Sequence, residues 1–407
     1  MKSNRVVITG LGVVSALGNN HHDFWKNLAC GETGIHPIQQ INCSGLRFNS
    51  GAEVKNMDMD NYFHPKELTW LDRFAQFALI AAQEAVEHSK IDRLALANAQ
   101  TAVITGSCLG GKKTEEEGYN RLFRQNNTRI NPNTIPNSMI NAGASHIASK
   151  FNITGPTYTI STACASSTHA IGHAFWLIRQ GIVNQAITGG SEAPFTEGHL
   201  RAWDALRVIS ADTCRPFSNN RSGMILGEGG AMLMLESLTS AQNRGAEIYA
   251  EIVGFGMSSD ASHLTKPNSA GQRQAILNVL QDAQIEPEMI DYINAHGTGT
   301  LVNDEVETKT ICSTFPKAED HLLISSTKGA HGHLLGAAGA LEAVATVLAI
   351  KHQIIPPTIN FTEKASECDL PLVVNRAHQR ELGYALCFSF AFGGLNAVLA
   401  LRHYIPN

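Results

Sequence analysis

The sequence predicts an α/β protein made of two similar halves. Three observations predict it. Its 35 glycines sit mostly at the ends of β-branched runs, where a strand must turn sharply into a helix. The runs at 6–10 (VVITG), 102–106 (AVITG) and 186–190 (AITGG) are short and continuously apolar, as in strands buried on both faces. The order helix, short linker, strand, glycine then recurs in the second half of the chain.

Taken in order, the run at 6–10 is a first strand. Leu71, Phe74, Ala78, Ala81 and Ala85 recur at three- and four-residue spacing behind Thr69, with Asp72 three residues on, and read as a capped amphipathic helix. The strand at 102–106 follows. A β-like stretch then runs into Cys164 and a helix of small residues, Ala165 to Gln180, before the strand at 186–190. In the second half, Ile276, Val279, Leu280 and Ala283 form another apolar helix face, and Tyr292-Ile293-Asn294-Ala295 is a strand running into His296-Gly297. The stretch from Leu334 to Ile350 is the counterpart of the helix after Cys164. The halves meet near residues 240–250, which divides the chain into 1–245 and 246–407. Each half reads as a mixed sheet covered by helices, and packing the two together buries one helix from each at the centre.

Composition narrows the function. With 407 residues, 43% hydrophobic and 16% charged, the chain can bury a large core. A net charge of −5 without a basic block argues against nucleic acid as a partner. The eight cysteines include no C-x-x-C pair and no partnered histidine spacing, so no disulfide framework and no metal site is expected, and a reducing cytoplasm fits best. Gly10, Gly12 and Gly18 interrupt the first apolar run, which reads as strand and turn and not as a signal peptide. The stretch nearest to a membrane span, Leu334 to Ile350, contains Glu342, so no membrane association is expected.

Four segments carry chemistry. Residues 160–167 (ISTACASS) place Cys164 at a strand-to-helix elbow, where the helix dipole and free N–H groups favour a thiolate and can accommodate an oxyanion. A cysteine among Ala and Ser is equally readable as a small core residue. Residues 294–300 (NAHGTGT) put His296 at a strand end in a glycine loop with flanking hydroxyls. Residues 326–336 (STKGAHGHLLG) supply Lys328, His331 and His333 within one loop before a helix. Residues 388–396 (FSFAFGGLN) form an aromatic–glycine loop that reads also as an ordinary buried strand and turn.

These four motifs, in this order and over essentially the whole chain, resemble the β-ketoacyl-acyl carrier protein synthases of the elongating, synthase II type. The resemblance implies a thiolase-like fold, with two similar halves each holding a five-stranded mixed sheet in an αβαβα arrangement. It implies decarboxylative condensation of malonyl-carrier protein with an acyl group held on Cys164, in fatty acid, polyketide or aryl-polyene elongation. By the same resemblance His296 and His333 form the decarboxylation site, Lys328 stands beside His333, and Glu342 pairs with Lys328. Thr298 and Thr300 contact the pantetheine arm, Phe392 gates the acyl pocket, and Leu109, His263 and Thr265 contact substrate. No free cofactor is implied, because the 4'-phosphopantetheine belongs to the acyl carrier protein. A dimer is implied, either of two copies or with a chain-length-factor-like subunit.

The chain departs from the family pattern at several points. Ala391 replaces a usual glycine before Phe392, and Leu395 a usual threonine. Residues 130–136 (INPNTIP) lack the usual aromatic bulk, so the pocket wall is expected to differ. Lys66 is the single lysine of a thin docking surface, to which Arg73, Arg121, Arg124, Arg129, Arg201 and Arg207 are candidate additions. Three other readings compete: a thiolase, a non-catalytic chain-length partner, and a cysteine hydrolase. The first needs a second, late cysteine in a Cys-x-Gly motif, which Cys387 does not provide; the second lacks a nucleophile; the third has no role for two histidines and a lysine.

Overall fold

The computed structural model describes residues 3–316 and 321–406. Ten strands form one sheet. The first half supplies β1 (Val6–Val14), β2 (Thr101–Gly106), β3 (Thr157–Ile160), β4 (Gln185–Glu192) and β5 (Gly229–Ser237). The second supplies β6 (Ala250–Ser259), β7 (Tyr292–Asn294), β8 (Leu323–Ser325), β9 (Tyr384–Ala391) and β10 (Leu395–Arg402). Their spatial order is β8-β7-β9-β10-β6-β1-β5-β4-β2-β3.

Within each half the third strand is at the edge, followed by the second, fourth, fifth and first. The directions repeat as well. Strand β2 is parallel to β3 and β4, while β5 is antiparallel to β4 and β1. Likewise β7 is parallel to β8 and β9, while β10 is antiparallel to β9 and β6. The two five-stranded sheets are therefore joined into one, through antiparallel pairing of Val6–Ile8 with Ala250–Ile252.

Seven helices frame the site: α1 (Arg73–Ser89), α2 (Lys112–Tyr119), α3 (Ser166–Arg179), α4 (Glu197–Leu206), α5 (Ser269–Ala283), α6 (Leu301–Thr314) and α7 (Ala338–His352). Helix α1 covers the first half on β1, β4 and β5, and α5 covers the second on β6 and β10. Helices α3 and α7 touch each other and strands of both halves, so they form the central layer. Helix α7 is apolar all round and buried from Ala338 to Ile350, as a helix enclosed on every side must be. Together with the turn before it, the run Leu335–His352 is long and apolar enough to cross a membrane, but 89% of it is buried in the core. The two central helices approach closely because Gly339 has no side chain: a Cβ there would lie 1.8 Å from Thr168 Oγ1. Ala340 N–H donates to Ser167 Oγ across the contact at 2.9 Å.

One sequence expectation about α1 shifts. Its N-cap is Asp72, whose carboxylate accepts from Phe74 N–H, and not Thr69. Thr69 ends the short helix Pro65–Leu68 and its hydroxyl donates to Lys66 O. The intervening turn at Trp70 and Leu71 resets the helix start, although Leu71 stays buried.

Candidate active site

Cys164 lies where the chain leaves β3 and enters α3. Ala163 adopts φ +48, a left-handed conformation that costs a residue with a Cβ, and this turns Cys164 inward until only 8% of it is exposed. Burial pushes the Cys164 thiol up to about 12, while the Lys328 charge and the Phe392 N–H pull it down. The thiolate expected from the helix terminus is therefore not the resting state. Desolvation outweighs the helix end, and the sulfur rests as a thiol.

His296 and His333 stand edge to face, with ring centroids 5.3 Å apart, and both are buried. Burial, followed by the Lys328 charge, holds each well below the ordinary histidine range, so both are neutral. Their tautomers follow from their partners. Leu335 N–H donates to His333 Nδ1 at 3.2 Å, which puts the proton on Nε2. That Nε2 is buried and has no hydrogen-bond partner among the described residues. Lys328 Nζ donates to His296 Nδ1 at 3.3 Å, which likewise leaves Nε2 of His296 as the N–H donor.

Lys328 acts on both histidines. Its fully buried ammonium donates to His296 O at 2.6 Å, to His296 Nδ1, and to the Glu342 carboxylate, and after burial its charge is the first influence that lowers His333. All three donors are thereby used. The expected Glu342 partnership is present, with Glu342 pushed up to about 7 by burial against the pull of Lys328.

Sequence reading missed the support under His296. Glu307 and Asp304 project from α6 and are fully buried. Glu307 accepts from His296 N–H and Gly297 N–H, each at 2.7 Å, while Asp304 accepts from Phe217 N–H and Gly299 N–H at 2.8 and 3.2 Å. An acidic pair three residues apart on a helix reads from sequence as solvated surface. Only the closed glycine loop, with its outward N–H groups, turns these carboxylates inward.

A cavity of about 370 Å³ joins these groups, lined among others by Cys164, His296, His333, Phe390 and Phe392. Thr298 and Thr300 line it too, their hydroxyls 2.9 Å apart. His263 and Thr265, with Leu264 and Lys266, are exposed and mark its outer end. Phe392 reaches the sulfur through its backbone N–H, and the turn beyond it uses Gly393 and Gly394 at φ +85 and +69. Ala391, the departure before Phe392, is buried within β9.

Leu109 is not in the wall of this cavity. It belongs with Phe195, Leu200, Met224 and Leu335 to an apolar cluster that shares Trp203 and Met224 with the cavity lining. Among the candidate docking arginines, Arg73 is removed: its guanidinium is held by buried Glu228 at 2.7 and 2.8 Å. Arg124 and Arg201 stay exposed but share Glu197, while exposed Arg207 lines the cavity.

Comparison with known proteins fits this geometry. Residues 3–241 match the β-ketoacyl synthase N-terminal domain family, and residues 249–362 match the corresponding C-terminal domain family. The chain is 39% identical to 3-oxoacyl-[acyl-carrier-protein] synthase 2 of Staphylococcus aureus (strain COL), covering 99% of both. It is 40% identical to nodulation protein E of Rhizobium leguminosarum bv. trifolii, over 98% of this chain and 99% of that one. Among solved structures it superposes on the ishigamide ketosynthase/chain length factor with a TM-score of 0.95 at 34% identity, covering 99% of this chain and 100% of the other. A type II polyketide ketosynthase, AntDE, solved with its acyl carrier protein AntF, gives a TM-score of 0.90 at 30% identity, with 99% and 100% coverage.

Proposed function

The chain belongs to the β-ketoacyl synthase family, and from that premise we propose that Cys164 carries the acyl group while His296 and His333 hold the malonyl thioester as it loses carbon dioxide. The enzyme is an acyltransferase of fatty acid or polyketide chain elongation, and its partner is acyl carrier protein. One observation carries the assignment of roles: a buried thiol, two neutral imidazoles with Nε2–H donors and the Phe392 N–H converge on one cavity, and His333 Nε2 has no hydrogen-bond partner among the described residues.

In the first half-reaction Cys164 S–H attacks the carrier thioester. A new C–S bond forms, the carrier C–S bond breaks, and the thiol proton ends on the departing sulfur. In the second, the bond from malonyl carbon to carboxylate breaks, carbon dioxide leaves, and the electron pair becomes an enolate whose oxygen lies between the two Nε2–H donors. The carbanion attacks the acyl carbonyl and forms the new C–C bond, the oxyanion is met by the Cys164 and Phe392 N–H groups, the acyl–sulfur bond breaks, and the Cys164 sulfur takes a proton from water to return to the thiol. Thr298 and Thr300, with His263 and Thr265 further out, contact the pantetheine arm, and Lys328 and Glu342 fix His296. No free cofactor and no metal enters this chemistry, since the phosphopantetheine is the carrier's own. We place the enzyme in the cytoplasm and the boundary between its halves at residues 245/246.

A dimer is part of the reading. Strand β3 is an edge strand with half-exposed residues, and Tyr119, Phe123, Ile130 and Ile135 are 59%, 72%, 46% and 71% exposed on the segment that precedes it. Such a concentration of exposed apolar side chains beside a free edge fits a second subunit. The ishigamide neighbour, described as a ketosynthase/chain length factor, favours a heterodimer as the second form of this reading.

The test is incubation with acyl- and malonyl-carrier protein, followed by intact mass. The expected result is an acyl adduct on the wild type, none on Cys164→Ala, and a β-ketoacyl product two carbons longer. An adduct on Cys164→Ala overturns the assignment.

A further inference from the structure

Trp203 is the one large side chain of α4 that faces the cavity and also packs on the apolar cluster holding Leu109. Its ring is held at two places. On one side it stacks on Phe392, with centroids 6.3 Å apart and planes at 28°. On the other its Nε1–H donates to His199 Nε2 at 2.8 Å, one turn back on the same helix, with the rings at 85°. Phe392 is the residue whose backbone N–H meets the nucleophile. The indole is therefore coupled to the oxyanion donor by stacking and to α4 by a hydrogen bond.

The helix that carries this pair is itself anchored. The Glu116 carboxylate of α2 accepts from Glu197 N–H and Gly198 N–H at 2.7 Å each, and Leu200 is fully buried. His199 sits between these anchors. Burial, followed by the nearby Lys112 charge, lowers it to about 4, so it is neutral across the physiological range. A neutral imidazole that accepts at Nε2 carries its proton on Nδ1, and the acceptor is available to the indole at any working pH. A phenylalanine at 203 could stack on Phe392 but could not make this bond.

We propose that His199 is a positioning residue that holds Trp203 as a partition between the nucleophile's cavity and the apolar cluster around Leu109, and that this partition sets the length of acyl chain Cys164 accepts. The proposal rests on the reading of Cys164 as the acyl carrier. With the indole fixed, the apolar space continuous with Cys164 stops at Trp203. When the hydrogen bond is lost the ring is free to turn, the cavity opens toward Leu109, and longer chains gain room.

The experiment compares the rates at which hexanoyl- and dodecanoyl-carrier protein acylate Cys164, by intact mass, in the wild type and in His199→Phe, His199→Gln and Trp203→Phe. His199→Phe and Trp203→Phe should each raise the dodecanoyl-to-hexanoyl ratio by up to about tenfold, the range one net hydrogen bond spans. His199→Gln, whose side-chain oxygen still accepts, should restore the ratio to within about twofold of wild type on the same scale. The double variant should add nothing to either single one. A ratio in His199→Phe equal to wild type, or His199→Gln behaving as His199→Phe, overturns the proposal, because a merely structural histidine would slow both chain lengths alike. A second readout does not depend on acylation: the Trp203 indole N–H, assigned in a 15N spectrum against Trp203→Phe, should be protected from solvent exchange in wild type and lose that protection in His199→Phe. An unprotected indole N–H in wild type overturns the partition, whereas absence of any adduct on wild-type Cys164, with the N–H protected, overturns the reading of Cys164 and leaves the partition standing.

Discussion

Replacing His333 with alanine should separate the two half-reactions. Among the described residues the imidazole makes one hydrogen bond, accepting at Nδ1 from Leu335 N–H, and its Nε2–H, without a partner there, lines the cavity. Among its described contacts none is a hydrogen bond to Cys164, so the thiol should still be acylated at close to the wild-type rate. Enolate formation loses one of two donors, and removing a single preorganised donor of this kind costs about 10²–10³ in rate, equal to about 2.7–4 kcal/mol. The substitution also leaves Leu335 N–H buried and unpaired, a stability cost of about 1–3 kcal/mol. Assays therefore belong well below the lowered melting midpoint, with adduct formation on Cys164 as the internal control for folded protein. The measurement is carbon dioxide release from malonyl-carrier protein beside acyl-adduct formation by intact mass, on one preparation. An equal fall in both would refute the reasoning and make His333 a base for the thiol.

Lys328→Ala should lose condensation by at least about a hundredfold, since it strips His296 of the donor that fixes its tautomer and leaves Glu342 a buried, unpaired carboxylate; wild-type turnover in that variant would refute the role. Glu307→Gln should lower stability by about 1–3 kcal/mol and impair condensation more than acylation, because an amide NH₂ would face one of the two N–H groups of His296 and Gly297 that the carboxylate now accepts; unchanged decarboxylation would argue that the loop holds itself. The pH dependence of stability follows from the buried histidines. His88, His199 and His331 are lowered to about 4, about 4 and about 3, chiefly by burial, so the unfolded chain takes up these protons near 6.5 while the fold does not. Their contribution is present above about 6.5 and is lost as the pH falls toward 4. Asp304, Glu307 and Glu342, raised to about 6, about 7 and about 7, act in the opposite sense and blunt the slope between about 4 and 7. The melting midpoint should fall between pH 6.5 and 4.5 in a calorimetric series, and a rise would refute the balance.

How much was legible depended on whether a signal was local. The strands at 6–10, 102–106 and 186–190 lie inside β1, β2 and β4, because doubly buried parallel and central strands are continuous apolar runs. The second-half helix face and its following strand correspond to α5 and β7 for the same reason. The catalytic candidates stood out because glycine punctuation and a thiol or imidazole coincide at strand ends. What failed to show was long-range. Arg73 has the pattern of a surface charge, and only the fold reveals that Glu228, 155 residues away, buries it. Lys328 is 32 residues from His296, and only the fold brings its ammonium onto that imidazole. The register of α1 was misplaced because both Thr69 and Asp72 are competent caps, and the turn between them decides.

The burial that raises the thiol also equips the site for the harder step. A dry cavity disfavours any resting charge, so neither a thiolate nor an imidazolium is stable there, and the fixed Lys328 ammonium further opposes a second positive charge on either histidine. Both imidazoles are thereby kept as neutral N–H donors whose Nδ1 atoms are already engaged, and neither can take the thiol proton without surrendering a partner. Acylation tolerates this, because one thiol replaces another and the proton moves to the sulfur that leaves. Decarboxylation moves charge onto the thioester oxygen, and on the proposed assignment that oxygen faces the two donors, in surroundings where hydrogen bonds are stronger than in water and no solvent reorganisation is required. On the proposed assignment Lys328 acts on the reaction through the protonation state of its neighbours: a positive charge, paired with Glu342 and pinned to His296, keeps two histidines uncharged until the enolate forms.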